Sequence, residues 1–227
     1  MSLPDWVEPV FDYIIGTGLP ETLKMSAISV SGSVAIGLVL GTIYTIHFAP
    51  ARTLIRAYIE VWRGLPIIVT IFLMLFVLPD VLNIPTAQWS PFEAAVTGLI
   101  LWGSAQVAEA TRGAVQSIPR EQHEAAAGLG FGWVGRHVYV IVPQATRRLL
   151  PPLVSLLVNV IQNTTVAAII GVAETLETAN RSVERLQLTP PGDPHAFAIY
   201  GGVMVIFFVI SFPLTRLAGY LEKRLAA

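Results

Sequence analysis

The sequence predicts an all-α polytopic membrane protein with five transmembrane helices, the N-terminus outside and the C-terminus cytoplasmic. Three observations carry this: composition, apolar runs and the placement of basic residues. Of 227 residues 54% are hydrophobic and 13% charged, where an average soluble domain carries about 25% charged residues. The apolar residues form uninterrupted blocks, each close to the roughly 20 residues that cross a hydrocarbon core of about 30 Å. Blocks such as Ile67 to Leu78 are apolar on every side, unlike the short alternating segments of a membrane barrel. Basic residues are held on the cytoplasmic side of a membrane. With the N-terminus outside, Arg52, Arg56, Arg63, Arg112, Arg120, Arg136, Arg147, Arg148, Arg216, Lys223 and Arg224 fall inside, and only Lys24, Arg181 and Arg185 fall outside.

The external tail, 1–22, holds Asp5, Glu8, Asp12 and Glu21 but no Lys or Arg, so it lacks the basic start of a signal peptide. Its Trp6, Val7, Val10, Phe11, Ile14 and Ile15 recur at helical spacing, which suits a short helix on the outer interface or an amphipathic lead-in equally. Spans follow at about 23–48, 65–82, 92–111, 149–172 and 196–218, all within one membrane domain, 1–227. In the first, Ser31-Gly32-Ser33, Gly37 and Gly41 make a small-residue stripe suited to close helix packing. A short external helix is expected in 173–195 from Glu174, Glu177, Glu184 and Arg185, ending at the Pro190-Pro191-Gly192 break.

The longest inner segment, 112–148, reads as two helices. Ser117 can cap a start, Pro119 fits a first turn, Glu121 and Glu124 suit the positive end of a helix, and Gly130 can stop it. Pro143 marks the next boundary, ahead of the span near Leu149.

In this segment Glu124-Ala125-Ala126, then Gly130, then nine residues and Val140-Ile141-Val142-Pro143 resemble the cytoplasmic signature of the membrane subunits of bacterial ATP-binding-cassette importers. Val in place of Ile and of Leu is the departure. Thr22-Leu23, Arg63-Gly64-Leu65-Pro66, and Ala108-Glu109 with Arg112-Gly113 and Ser117-Ile118-Pro119 resemble the polar amino-acid (histidine/glutamine-type) permease branch, so the likeness runs from about Gly18 to Leu217. The resemblance implies a multi-pass subunit of the bacterial inner membrane that dimerises with an identical or homologous permease. It further implies a coupling helix built on Glu124, Ala125, Ala126, Gly128 and Gly130 against a cytoplasmic ATPase dimer, and an external solute-binding protein. ATP and Mg would sit on the partner ATPase, and this chain would bind no cofactor. Small residues let that helix approach a groove closely, Glu124 can make a charge-assisted hydrogen bond, and Gly130 allows the turn.

Polar residues inside spans are the second functional signal, because an unsatisfied polar group in hydrocarbon costs several kcal/mol. Span four carries Asn159, Gln162, Asn163, Thr164 and Thr165, with 159, 162, 163 and 166 on one helical face. That face lines a substrate path or glues helices at a subunit interface, and both roles are compatible. Glu109, near the inner end of span three, reads as an i,i+3 partner of Arg112, and Arg63 as a partner of Glu60, with a gating or interface role for Arg63, Glu109 and Arg112 as the other reading. The histidines, His47, His123, His137 and His195, are scattered without metal spacing.

Cysteine is absent, which removes thiolate chemistry, and no nucleotide-binding glycine loop or catalytic triad is visible, so the chain reads as a transport subunit and not an enzyme. A net charge of -1 gives no footprint for nucleic acid. The expectation is a dimeric path for amino acids driven by ATP. An ion-gradient-driven secondary transporter is the alternative, and it would need an intramembrane ionisable relay for which only Glu109 offers itself.

Overall fold

The computed structural model describes residues 4–45, 49–85, 89–189 and 192–225, and among these the chain is helical with no strand. His47, the last residues of the first predicted span and the Pro190-Pro191 pair lie outside the described residues.

Helix α1 runs over Val7–Thr45. The tail is therefore not a separate interfacial helix but leads directly into the first long helix, the second of the two readings, and the whole is about 58 Å long at roughly 1.5 Å per residue. Continuity depends on a π turn, Ile14–Gly18, in which the Leu19 N–H donates to the Ile14 carbonyl. Pro20 follows two residues later. A proline in a helix has no N–H and its ring strikes the carbonyl four residues back, here Gly16, and the widened turn relieves both problems. The same device recurs twice. The π turn Leu73–Val77 precedes Pro79, and the π turn His137–Ile141 precedes Pro143.

Helix α2, Ala49–Gly64, buries Ile55 and Ile59 and turns Arg52, Arg56 and Glu60 outward. At Pro66 the chain bends by 108° into α3, Ile67–Leu82. Helix α4, Pro91–Gln116, starts at a capping box. There the Glu93 N–H donates to Ser90 Oγ at 3.3 Å and the Ser90 N–H donates to Glu93 Oε2 at 2.7 Å. It is the central helix, packed by α1, α2, α3 and the later long helix, and it buries Ala94, Ala95, Leu99, Val107 and Ala108. The small-residue stripe of α1 lies on it. A Cβ on Gly37 would stand 2.7 Å from the Ser104 carbonyl oxygen, and one on Gly41 2.7 Å from that of Ala108. Only glycine permits this approach.

Helix α5, Arg120–Gly128, is short and exposed. Helix α6 runs unbroken over Trp133–Ile170. The boundary expected at Pro143 does not exist, because the preceding π turn accommodates the ring. The last stretch of α6, Thr164–Ile170, tightens to a 3-10 helix that ends at Gly171 with φ +80°, a backbone conformation that glycine adopts without cost. Helix α7, Thr175–Leu188, and α8, Ala196–Leu225, complete the chain. Helix α8 exposes Phe197, Met204, Phe208 and Phe212, an outward face suited to lipid.

Three of these helices, α1, α6 and α8, are long and apolar enough to cross a membrane, and the bent pair α2–α3 makes a fourth if counted as one span. Helix α4 has the length but also Glu93, Gln106, Glu109 and Arg112.

Candidate functional site

Polar chemistry gathers in three places: the α5 end of the bundle, a cleft beside α4 and α6, and the opposite end where α7 meets α1. At the α5 end, Ser117 does not cap α5. It closes α4 instead, its N–H donating to the Gly113 carbonyl at 2.9 Å, and Pro119 takes the cap position with no side-chain bond. The Ser117 side chain is occupied, since Oγ donates to the Ala114 carbonyl at 2.7 Å and accepts from Arg148 Nη1 at 2.9 Å. Arg148 also donates to the Ser117 carbonyl at 2.5 Å. One guanidinium thus ties the end of α4 to α6 across the whole loop.

Along α5 only Ala126 is buried. Glu124 points to solvent, paired with Arg120 at 2.9 Å. An exposed pair of this kind contributes well under about 1 kcal/mol. The helix ends as a Schellman motif. The Phe131 N–H donates to the Ala126 carbonyl at 3.1 Å and the Gly130 N–H to that of Ala127 at 3.0 Å, with Gly130 at φ +83°. A small, exposed, sharply terminated helix therefore projects from the bundle, flanked by the exposed Leu129, Trp133 and Val134.

Just above it lies an ion cluster. Arg112 chelates Glu109, with Nε to Oε2 at 2.8 Å and Nη2 to Oε1 at 2.5 Å, and Arg112 also donates to Gln116. Arg63 does not pair with Glu60, which is held by Arg56 at 2.7 Å on the exposed face of α2. It reaches across to α4, with Nη1 at 3.8 Å from Glu109 Oε1 and Nε donating to Gln106 Oε1 at 3.1 Å. The bend at Pro66 carries α3 away and leaves Arg63 facing α4. Glu109, Arg63 and Arg112 are one network joining α2 to α4, supplemented by Tyr58 Oη and Ser104 Oγ at 2.7 Å.

Gln106, which sequence reasoning misses, connects this network to the second place. A cavity of about 250 Å³ between α4 and α6 is lined by Trp102, Gln106, Ser155 and Asn159 among apolar side chains. Asn159 and Gln162 are exposed on the isolated chain and Asn163 is half-buried. The α-helix ends at Asn163, so the expected continuation of the face to residue 166 is lost. Thr164 Oγ1 donates to the Ile161 carbonyl and Thr165 Oγ1 to that of Gln162, each at 2.7 Å. Thr164 is buried. The exposed polar side chains of this region are Asn159, Gln162 and Ser155, beside the half-buried Gln106 held by Arg63. The signal for Gln106 is that it is the one amide in the apolar run of 92–108.

At the opposite end, Glu174 is fully buried. It caps α7, with Oε1 accepting from the Glu177 N–H at 2.8 Å, and Oε2 stands 3.5 Å from Thr22 Oγ1. Thr22 Oγ1 and Thr175 Oγ1 lie 2.7 Å apart, and the Thr175 N–H donates to Thr22 Oγ1 at 3.0 Å. Burial raises the proton affinity of the Glu174 carboxyl above the usual glutamate range, and the bonds from Leu176, Glu177 and Thr22 restrain the rise. Two of the scattered histidines also find company: His123 and His137 stand 6.4 Å apart, centroid to centroid, and Trp133 packs on His137 at 4.1 Å.

Membrane-length helices around one buried central helix, with a polar cleft on one flank and a small helix projecting from one end, make a polytopic permease subunit. Residues 33–227 match the family described as binding-protein-dependent transport system inner membrane component, and the chain belongs to that family. It is 33% identical over 223 residues to the glutamine transport system permease protein GlnP of Escherichia coli (strain K12), covering 97% of both chains. It is 31% identical over 208 residues to the inner membrane amino-acid ABC transporter permease protein YhdY of the same organism, covering 91% of this chain and 55% of that one, so the chain spans about half the length of that relative. Among solved structures, an amino acid ABC transporter crystallised with histidines superposes with a TM-score of 0.84 at 26% identity, covering 99% of this chain and 100% of that one.

Proposed function

We propose that the chain is the transmembrane subunit of an ATP-driven amino-acid importer of the bacterial inner membrane. It spans the membrane five times, with α4 and the bent α2–α3 pair among the spans, the N-terminus outside and the C-terminus cytoplasmic. One chain encloses half a path at most, so the working unit is a dimer with an identical or homologous permease. An external solute-binding protein delivers the amino acid to the α7 end. Helix α5 couples to a cytoplasmic ATPase dimer, which holds the ATP and Mg.

The observation that carries this reading is α5 itself: Glu124, Ala125, Ala126 and Gly128 on an exposed helix stopped by Gly130 in the left-handed conformation. Its motion is passed on mechanically. The Arg148 bonds to Ser117 bind the two ends of the loop, so displacement of α5 moves α4 and α6 together. These two helices line the cleft with Gln106, Ser155 and Asn159, and the Arg63–Glu109–Arg112 network stands at its α5 side as an inner gate. ATP-driven closure of the ATPases would draw the α5 ends of the two permeases together and open the path outward, and hydrolysis would reset it. Glu109 is engaged by two arginines, which removes the free ionisable relay a gradient-driven transporter would need.

The test is uptake and ATP hydrolysis by the reconstituted complex. Glu124→Arg and Gly130→Leu should leave membrane insertion intact while separating hydrolysis from uptake, and normal uptake by both would overturn the coupling role. The triple variant Asn159→Leu, Gln162→Leu, Asn163→Leu should lose uptake while its ATPase subunits stay bound; wild-type uptake would remove these residues from the path.

A further inference from the structure

A second cavity, of about 410 Å³, lies where α1 and α4 end, between α2, α5 and the start of α6. This falls within the roughly 300–1,000 Å³ of small-molecule sites. Its polar lining includes Arg52, Arg136, His123, His137, Tyr44 and Gln116, and no carboxylate among the described residues lines it. Four arginines of this end are ion-paired: Arg56 with Glu60, Arg63 and Arg112 with Glu109, Arg120 with Glu124. Arg52 and Arg136 have no ion pair among the described residues, and Arg136 Nε is buried without any hydrogen-bond partner there. A buried donor without a partner is costly and calls for an acceptor. Burial first, and then the neighbouring His137 and Arg136, make His123 harder to protonate than an ordinary histidine.

We propose that this cleft is a binding site for a phosphate-bearing anion. Two guanidinium forks from separate helices, Arg52 on α2 and Arg136 on α6, suit the geometry of phosphate oxygens. Tyr44, Gln116 and the imidazoles add donors beyond what the two oxygens of a carboxylate could accept. The site stands at the level where membrane-length helices end, so the phosphate can come from a lipid headgroup or from solution. It is separate from the cleft between α4 and α6. A bound anion would cross-link α2, the end of α4 and the α5 loop, the three parts that coupling must move.

The experiment uses the purified complex in phosphatidylcholine nanodiscs with and without phosphatidylglycerol. Native mass spectrometry reads retained lipid, and 31P line broadening reads the binding of inorganic phosphate. The wild type should retain one anionic lipid or one phosphate per copy of this chain, and R52Q/R136Q should reduce that retention at least tenfold. R52K/R136K should keep most of it. R136Q alone breaks no hydrogen bond of Nε among the described residues, so it reports binding even if the double variant misfolds. Retention of phosphatidylglycerol alone assigns the headgroup, and phosphate binding in phosphatidylcholine assigns a soluble ligand. Equal retention and equal phosphate binding in wild type, R136Q and R52Q/R136Q would overturn the site.

Discussion

Gly128 and Gly130 stand two residues apart at the end of α5, and a Cβ added to either meets nothing within 4 Å. Steric crowding is therefore removed, and only backbone conformation separates them. Gly128 is helical, so Gly128→Ala should stabilise the last turn by up to about 1 kcal/mol through helix propensity. Gly130 sits at φ +83°. An L side chain there costs roughly 1–2 kcal/mol, so Gly130→Ala should destabilise the same turn by that amount. The assay is amide exchange of Leu129, Gly130 and Phe131, whose N–H groups bond the carbonyls of Ala125, Ala127 and Ala126. Where exchange follows local opening, Gly130→Ala should speed it about 5–30-fold, and Gly128→Ala should slow it up to about fivefold. Gly130→Asn, whose side chain tolerates the left-handed region, should fall between wild type and Gly130→Ala. If both alanine variants shift exchange in the same direction, or Gly130→Ala leaves it unchanged, the account of how α5 ends is wrong.

Other variants probe the frame around the site. Gly41→Val places atoms against the Ala108 carbonyl and should lower stability by about 1–3 kcal/mol, read by thermal unfolding in detergent; Gly219→Val, with open space around it, should not. Arg148→Gln removes both bonds to Ser117 and should lower uptake per ATP hydrolysed while assembly is kept; an unchanged ratio would contradict the clamp. Burial raises the proton affinity of Glu174 in the folded state, so the folded chain holds a proton that the unfolded one releases. Stability should fall as pH rises from the ordinary glutamate range through the raised value. Glu174→Gln should then melt higher than wild type at about pH 8 and lose that advantage near about pH 5; a gap independent of pH would refute it.

Apolar runs mark the long helices because hydrocarbon length fixes their size, but α2, Ala49–Gly64, lies outside every run. They misplace a joint at Pro143, which reads as a boundary. Pro20 and Pro143 sit inside continuous helices because a π turn ends two residues before each, a backbone adjustment with no residue signature of its own. The α5 motif is legible, since its spacing is local, and Gly130 adopts the conformation that its role requires. Partners chosen across helices are not legible. Glu60 and Arg63 are three apart in sequence, yet the bend at Pro66 leaves Arg63 facing Glu109 and Gln106 on α4. Glu174 reads as a surface acid of an external helix, and only the docking of Thr22 against α7 buries it. His123 and His137 look incidental because fourteen positions separate them, and the turn at Gly130 folds the two segments together.

The most direct test of the central claim is to purify the tagged chain from native membranes in mild detergent and identify what accompanies it by mass spectrometry. The account predicts a cytoplasmic ATPase with a phosphate-binding glycine loop, together with a second permease, identical or homologous. Recovery of the chain alone, under conditions that hold a known importer complex together, would contradict it.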